Sequence, residues 1–185
     1  MPMSTSVSAR PMLPRSSKEL LRSTTAEWLR PSRTAKGVLY SELVDSGPFG
    51  DPKGRTRAQK DGLRYERLVH RELSRIFRGE LLYQPWLYFE DSNGSGFARP
   101  DFILIPPGRE RHRILIDAKR TATWRAEDQL AGLYLPILKN LWADSEFTLV
   151  QVAKFSGGLS TVILSLPDVL ALPPSDTVHF WHWMA

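Results

Sequence analysis

The chain has 185 residues, no cysteine and a formal net charge of +5. A chain of this length can bury an adequate core by itself. The absence of cysteine excludes disulfides, thiolate zinc sites, iron–sulfur clusters and cysteine nucleophiles. The charge is uneven, because residues 1–120 carry a net +8 and residues 121–185 a net −3. No apolar run approaches the roughly 20 residues that span a bilayer, and no secretory signal is recognisable. We therefore expect a soluble cytoplasmic protein whose basic half meets a polyanion.

The first 55 residues precede the region of clear hydrophobic patterning. Residues 1–17 are rich in Ser, Pro and Arg and predict a disordered basic arm, although an organellar transit peptide has a similar composition. Residues 18–55 are predicted to form an N-terminal extension, with a short helix stopped by Pro31 and a Gly/Pro-rich loop over residues 45–56. Residues 56–185 are predicted to form the functional domain.

A basic amphipathic helix is predicted from about Arg57 to Arg78. Apolar residues from Val69 to Phe77 share one side at the helical period. Glu66 falls within that side, where a carboxylate is costly unless it is paired or coordinated to a cation. The opposite side carries five arginines, which are Arg64, Arg67, Arg71, Arg75 and Arg78.

Strand-like segments and a second helix follow. Pro85 implies that the first of these strands is an edge strand or contains a bulge. The predicted strands are Leu81–Glu90, Asp101–Ile105 and Arg113–Lys119, separated by turns. The predicted later elements are a helix over Ala126–Trp142 kinked at Pro136, a hairpin of Phe147–Phe155 and Leu159–Leu166 closed at Gly157–Gly158, a turn of helix over Pro167–Leu172, and an aromatic segment, His179–Met184, packed on the domain.

Two aspartates are predicted to face each other across a hairpin. If the second and third strands pair around Arg109, Asp101 stands directly opposite Asp117, with the Cα atoms about 5 Å apart. Side-chain alternation places both carboxylates on the same face as Lys119, and Glu66 can approach from the flanking helix. Oxygen ligands at this density suit a hard divalent cation such as magnesium or manganese.

These residues resemble the motifs of a known nuclease superfamily. Arg99-Pro100-Asp101, followed after sixteen residues by Asp117-Ala118-Lys119, is similar to the PD-(D/E)xK pattern of type II restriction enzymes, lambda-type exonuclease, archaeal junction resolvases and RecB-type nucleases. Gly62-Leu-Arg-Tyr-Glu66 resembles the GxxxE motif of RecB-type members, and Gln129 resembles the glutamine of their QxxxY motif. Tyr134 follows Gln129 by five residues instead of four and is assigned, with Leu133, to the apolar stripe of the helix.

The resemblance implies a fold and an activity. The expected fold is α/β, with the restriction-endonuclease-like αβββαβ core and a mixed central sheet flanked by helices, over roughly residues 56–165. The expected activity is hydrolysis of DNA phosphodiesters with one or two magnesium or manganese ions. Asp101, Asp117 and the backbone carbonyl of Ala118 would then be metal ligands. Glu66 would complete the metal's ligand shell directly or through water and would take part in catalysis.

The resemblance also implies roles for two further residues, and the charge pattern suggests a binding surface. Lys119 would orient or help to deprotonate the attacking water, and Gln129 would support the water, Lys119 or the DNA backbone. The arginine stripe of the helix is interpreted as a solvated surface. The residues expected to contact nucleic acid are Lys53, Arg55, Arg57, Lys60, Arg120 and Arg125, with Trp124 stacking on bases.

Other functions stay open at this point. A catalytically silent nucleic-acid-binding or assembly protein would keep the same fold without cutting. A metal-dependent phosphatase or nucleotidase would lack such extended basic surroundings. The small size and the absence of an ATPase motif favour a stand-alone phage, mobile-element or repair nuclease. RNA as a substrate, and a homo-oligomeric or larger nucleoprotein assembly, are left undecided.

Overall fold

The computed structural model describes residues 34–47, 54–155 and 165–183, apart from the side chain of Trp124. The predicted basic arm, the short N-terminal helix, Lys53 and the Gly157–Gly158 turn lie outside these residues. None of the helices in the described ranges combines the length and the apolar composition that crossing a membrane requires.

The strands form two sheets. A five-stranded sheet contains, side by side in this order, β2 (Glu80–Tyr83), β5 (Phe102–Ile105), β6 (His112–Thr121), β7 (Glu146–Phe155) and β8 (Ser175–His182). The pairs β2–β5 and β5–β6 are antiparallel, and the pairs β6–β7 and β7–β8 are parallel. An antiparallel three-stranded sheet has the order β1-β3-β4, with β1 (Tyr40–Val44), β3 (Trp86–Asp91) and β4 (Gly94–Ala98).

The first helix begins at a complete capping box. The Thr56 hydroxyl accepts a hydrogen bond from the Gln59 backbone N–H, and the Gln59 side chain accepts one from the Thr56 N–H. This helix, α1, spans Arg57–Ile76 and confirms the predicted helix to within two residues. The other helical elements are α2 (Trp124–Gln129), a π-helical turn (Leu130–Tyr134), α3 (Leu135–Leu141) and α4 (Leu166–Ala171).

Both faces of the five-stranded sheet are buried under apolar side chains. Ile114 and Ile116 of β6 pack in a cluster with Leu73 of α1. Leu115, between them in the chain, packs in a second cluster with Leu138 of α3. Because side chains alternate along a strand, the odd-numbered positions of β6 face the layer built by α2, the π-helical turn and α3. The protein is therefore a mixed α/β structure with helices on both sides of a mixed sheet.

The predicted hairpin register is confirmed. Phe102 pairs with Ile116 and Leu104 with Ile114 in an antiparallel ladder. The turn between β5 and β6 is closed by the Arg109 N–H, which donates to the Pro106 carbonyl at 3.1 Å. The same register continued by one residue sets Asp101 opposite Asp117.

The prediction of one strand over Leu81–Glu90 is wrong. The segment divides at Gln84–Pro85 into β2 and β3, which belong to different sheets. Proline has no N–H for a ladder and fixes its own φ, so a continuous central strand is disfavoured there. The strand β4, Gly94–Ala98, pairs back onto β3. Its glycines obscure the alternation of apolar and polar residues that would predict a strand.

The predicted helix over Ala126–Trp142 is interrupted in a way that the sequence pattern does not indicate. Pro136, where the sequence predicts a kink, is the second residue of α3. The interruption is the π-helical turn immediately before it, which adds a residue to the repeat. This extra residue changes which side chains share a face.

The C-terminal region agrees in part with the sequence prediction. The first arm of the predicted hairpin is β7, and α4 corresponds to the predicted turn of helix over Pro167–Leu172. Most of the hairpin's second arm lies outside the described residues. The aromatic segment joins the sheet, since β8 pairs in parallel with β7.

Candidate active site

The two aspartates and the lysine meet where β5 begins and β6 approaches its end. Lys119 Nζ lies 2.7 Å from Asp117 Oδ1, and the Asp117 side chain is 2% exposed. Asp101 Oδ2 accepts a hydrogen bond from the Ala118 backbone N–H at 2.7 Å. The hairpin register therefore brings together all three side chains that the sequence assigned to the site.

Burial and mutual repulsion change the charge state of this cluster. Burial, followed by the negative charge of Asp117, raises the pKa of Asp101 to about 8. Burial also raises the pKa of Asp117, against the Lys119 ammonium, which lowers it. For Lys119 burial lowers the pKa, but the carboxylates of Asp117 and Asp101 outweigh that effect and leave its pKa raised. The lysine is therefore charged, and the carboxyl pair tends to retain a proton.

One carboxylate oxygen in the cluster has no partner. Asp117 Oδ2 is buried and accepts no hydrogen bond of normal length, although the side chain of Gln151 on the neighbouring strand is close enough to lower the pKa of Asp117. Such an oxygen is expensive to keep away from water unless a proton or a cation binds it. The carboxylate oxygens of the buried Asp117 and the half-buried Asp101, with a neighbouring backbone carbonyl, are ligands of the kind that magnesium and manganese prefer, so these residues fit a hard divalent cation. Within the described ranges, however, no three acidic or histidine side chains group closely enough to hold a metal by themselves.

Glu66 reaches the edge of this cluster and is held there by a residue that the sequence did not single out. It is close enough to Asp101 for its charge to help raise the pKa of Asp101. Glu66 Oε1 accepts a hydrogen bond from the Gln84 side-chain amide. The Gln84 backbone N–H donates to the Asp101 carbonyl at 2.8 Å. Gln84 thus contacts two of the candidate residues at once. A polar residue between two strands is common, so the sequence does not indicate this role.

Gln129 and Tyr134 are joined by a hydrogen bond, although the sequence assigned Tyr134 only to the apolar stripe of the helix. Gln129 Nε2 donates to Tyr134 Oη at 2.5 Å, and Tyr134 Oη donates to the Arg99 carbonyl at 3.1 Å. Tyr134 is buried in the core, as predicted, yet its hydroxyl holds the backbone two residues before Asp101. The π-helical turn supplies the extra residue that places positions 129 and 134 on one face. The five-residue spacing fits a π-helical repeat, but the spacing alone does not predict one.

An aromatic stack borders Glu66. The rings of His70 and Tyr83 are parallel with centroids 3.9 Å apart, and Tyr83 also stacks on Phe102 at 5.4 Å. Burial, followed by the charge of the nearby Glu66, raises the pKa of Tyr83 to about 12. The sequence indicated none of these residues for the site, since His70 and Tyr83 are far apart in the chain.

The basic residues divide into two groups. Arg120 follows Lys119 and forms a salt bridge with Asp61 of α1 at 2.9 Å, and Arg125 is exposed on α2. A groove of about 720 Å³ runs along the outer side of α1, where Leu63 and Leu68 form part of its wall. Its basic residues are Arg55, Arg57, Lys60, Arg64, Arg67 and Arg71. The stripe arginines 64, 67 and 71 therefore share one concave surface with Arg55, Arg57 and Lys60, which are three of the residues expected to bind nucleic acid.

Comparison of the chain with protein-family models, with curated proteins and with solved structures found no match.

Proposed function

We propose that this protein is a divalent-metal-dependent deoxyribonuclease of the PD-(D/E)xK type, with a restriction-endonuclease-like core. The observation that carries the proposal is the pair of opposed carboxyl groups on adjacent strands, Asp101 and Asp117, with an unpartnered oxygen on Asp117 and Lys119 beside it. Two carboxyl groups whose charges raise each other's cost in a largely desolvated place are unfavourable for stability, and perturbed groups of this kind concentrate at functional sites. The element order α1, β2, β5, β6, α2–α3 and β7 supports the same assignment.

Each residue of the cluster has a defined part in this chemistry. Asp101 and Asp117, with Glu66 and the Ala118 backbone alongside, would hold magnesium or manganese. A bound ion of this kind lowers the pKa of its water and neutralises charge on a phosphodiester. Lys119, whose side chain is 35% exposed, would place its positive charge beside a phosphate oxygen or a water.

The basic groove supports nucleic acid as the partner. Among the described residues, none of Arg57, Lys60, Arg64 and Arg71 lies within 4 Å of a carboxylate, whereas Arg75, further along the same helix, is paired with Glu72 at 2.7 Å. Unpaired cations on a concave surface are suited to a phosphate backbone, and binding of this kind weakens steeply with salt. The groove lies on the solvent side of the helix that carries Glu66.

A second candidate function is a nucleic-acid-binding protein that does not cut. It is favoured by one observation: within the described ranges no three acids form a metal-holding group.

Cleavage assays separate the two functions. Circular and linear DNA, single- and double-stranded, are incubated with the protein in magnesium, in manganese and in EDTA. We expect cleavage that EDTA abolishes, and at least a roughly 100-fold loss of rate in Lys119→Ala, because a cation that neutralises developing negative charge is removed. DNA binding of the variant, measured in EDTA, should be retained.

The controls make each outcome decisive. Lys119→Met keeps the aliphatic stem, so it serves if the alanine variant folds poorly, and circular dichroism checks both. Cleavage by Lys119→Ala at the wild-type rate would overturn the proposed mechanism. Salt-sensitive binding without cleavage by the wild-type protein, in either metal and on every substrate, would favour the non-cutting alternative.

A further inference from the structure

Gln84 has an unusual backbone conformation. Among the described residues it is the one non-glycine with a positive φ, at 49°. A glutamine is rarely found in this left-handed region, because its Cβ is crowded there. Such a conformation persists only where the surroundings determine it, and it concentrates at functional sites. The position is between β2 and β3, where the chain passes from one sheet to the other.

The contacts of Gln84 explain what determines the conformation. Its backbone N–H extends the β2–β5 pairing by one bond, to the Asp101 carbonyl at 2.8 Å. Its side-chain amide donates to Glu66 Oε1 on α1. One residue therefore connects the helix, the start of β5 and the switch between sheets.

A neutral amide is suited to hold Glu66 in this place. A lysine or arginine partner would neutralise the carboxylate and compete with a cation. An amide N–H fixes one carboxylate oxygen and leaves the charge in place. Glu66 then stays at the edge of the Asp101 and Asp117 cluster in a defined orientation, although like charges would otherwise drive it away.

We propose that Gln84 is a positioning residue, which holds Glu66 in the orientation needed for divalent-metal binding and cleavage. The inference rests on the proposed function. It concerns a residue that touches neither substrate nor metal, so its effect should be seen in metal affinity and in kcat, with little change in KM for DNA.

Two variants separate the side chain from the backbone. Gln84→Asn tolerates the left-handed conformation, but its amide is one methylene short of Glu66. Gln84→Gly accommodates the positive φ without strain and removes the amide. Both should keep the thermal midpoint of the metal-free protein close to that of wild type. Both should lose roughly 10- to 100-fold in kcat and in magnesium affinity by calorimetry, as is typical when a partner of a metal-binding residue is removed.

Gln59→Asn is the matched control. It shortens a glutamine of α1 by the same methylene and breaks a capping hydrogen bond of 2.8 Å away from the cluster. It should lower the thermal midpoint and leave kcat and magnesium affinity unchanged.

Each outcome decides the proposal. If the wild-type protein cleaves DNA and both Gln84 variants match it in kcat and metal affinity, Gln84 is only a turn residue and the inference is wrong. If wild type binds magnesium or manganese without cleaving, the proposed function fails. The positioning role of Gln84 is then decided by the metal affinities of the two variants, measured by calorimetry. If wild type binds neither metal, both are overturned.

Discussion

The two ends of β6 bury polar groups in opposite ways. At its start, His112 Nε2 lies 2.8 Å from Thr148 Oγ1, and that hydroxyl donates to the Pro173 carbonyl at 2.9 Å. Burial, followed by the charge of Arg109, lowers the pKa of His112, so the ring is neutral. Near its other end, the charged Lys119 contacts the buried Asp117, and one carboxylate oxygen of Asp117 has no hydrogen-bond partner.

The difference in cost separates structure from candidate function. His112 Nδ1 also lacks a partner, but one unpaired nitrogen on a neutral ring costs about 1–3 kcal/mol. A buried carboxylate oxygen without a partner costs more, since it carries part of a negative charge that is removed from water. We interpret the His112 end as a structural network and the Asp117 end as the place where the fold gives up stability for a ligand. Substitutions at each end, and the pH dependence of stability, test that interpretation.

The largest effect is expected from Asp117→Asn. Magnesium or manganese should stabilise the wild-type protein, by about 2.7 kcal/mol at a free metal concentration 100 times the Kd. The variant should lose this metal-linked stabilisation, because the unpartnered oxygen is replaced by an amide, and its metal-free form should be at least as stable as wild type. Thermal unfolding with and without metal measures both.

His112→Asn is the comparison at the other end of the strand. It should lower the free energy of unfolding by about 1–3 kcal/mol, through loss of packing and of the Thr148 contact, and keep the full metal-linked shift. An unchanged shift in Asp117→Asn would remove Asp117 from the metal site.

A smaller effect is expected from the hydroxyl of Tyr134. Tyr134→Phe breaks its bond to the Arg99 carbonyl, while Tyr65→Phe breaks an equivalent bond to the Trp183 carbonyl at 3.0 Å. The two tyrosines are equally buried, at 4% exposure each. Each variant should lose about 1 kcal/mol of stability.

Only Tyr134→Phe should also slow cleavage, by roughly 10-fold, because the chain leading to Asp101 is released. Single-turnover cleavage with excess enzyme, beside urea denaturation, compares the two. Equal cleavage rates in both variants would make Tyr134 a core residue with no part in the site.

The last comparison concerns the pH dependence of stability in EDTA. The pKa of Asp101 is raised from 3.8 to about 8, so its contribution to stability is present below pH 3.8 and is lost as the pH rises through about 8. The pKa of His112 is lowered from 6.5, so stability is lost as the pH falls below 6.5.

Urea midpoints at pH 5, 6.5 and 8 measure this difference. Asp101→Asn should remove the decline in stability that Asp101 causes between pH 5 and 8, and His112→Asn should remove the loss of stability below pH 6.5. Profiles parallel to that of wild type in both variants would contradict the assigned charge states.

Local patterns in the sequence predict several parts of this fold and site. The apolar period and the Thr56 cap determine α1, and the turn residues around Gly108 determine the hairpin. Because that hairpin spans few residues, its register follows from the turn, and the register alone places Asp101 opposite Asp117. Each of these depends on interactions within about twenty residues of chain, which periodicity and turn chemistry report.

Only the tertiary structure decides what surrounds the carboxyl pair. The Gln84 contact with Glu66 joins residues 18 apart through a left-handed backbone, and the bond from Tyr134 to Arg99 spans 35 residues across a π-helical turn. The addition of β8 to β7 likewise depends on parallel pairing between distant segments. Such contacts arise when separate elements pack, so no local spacing encodes them. The sequence by itself determined which acids would meet, and the packing of the helices and of the second sheet decided what holds them in place.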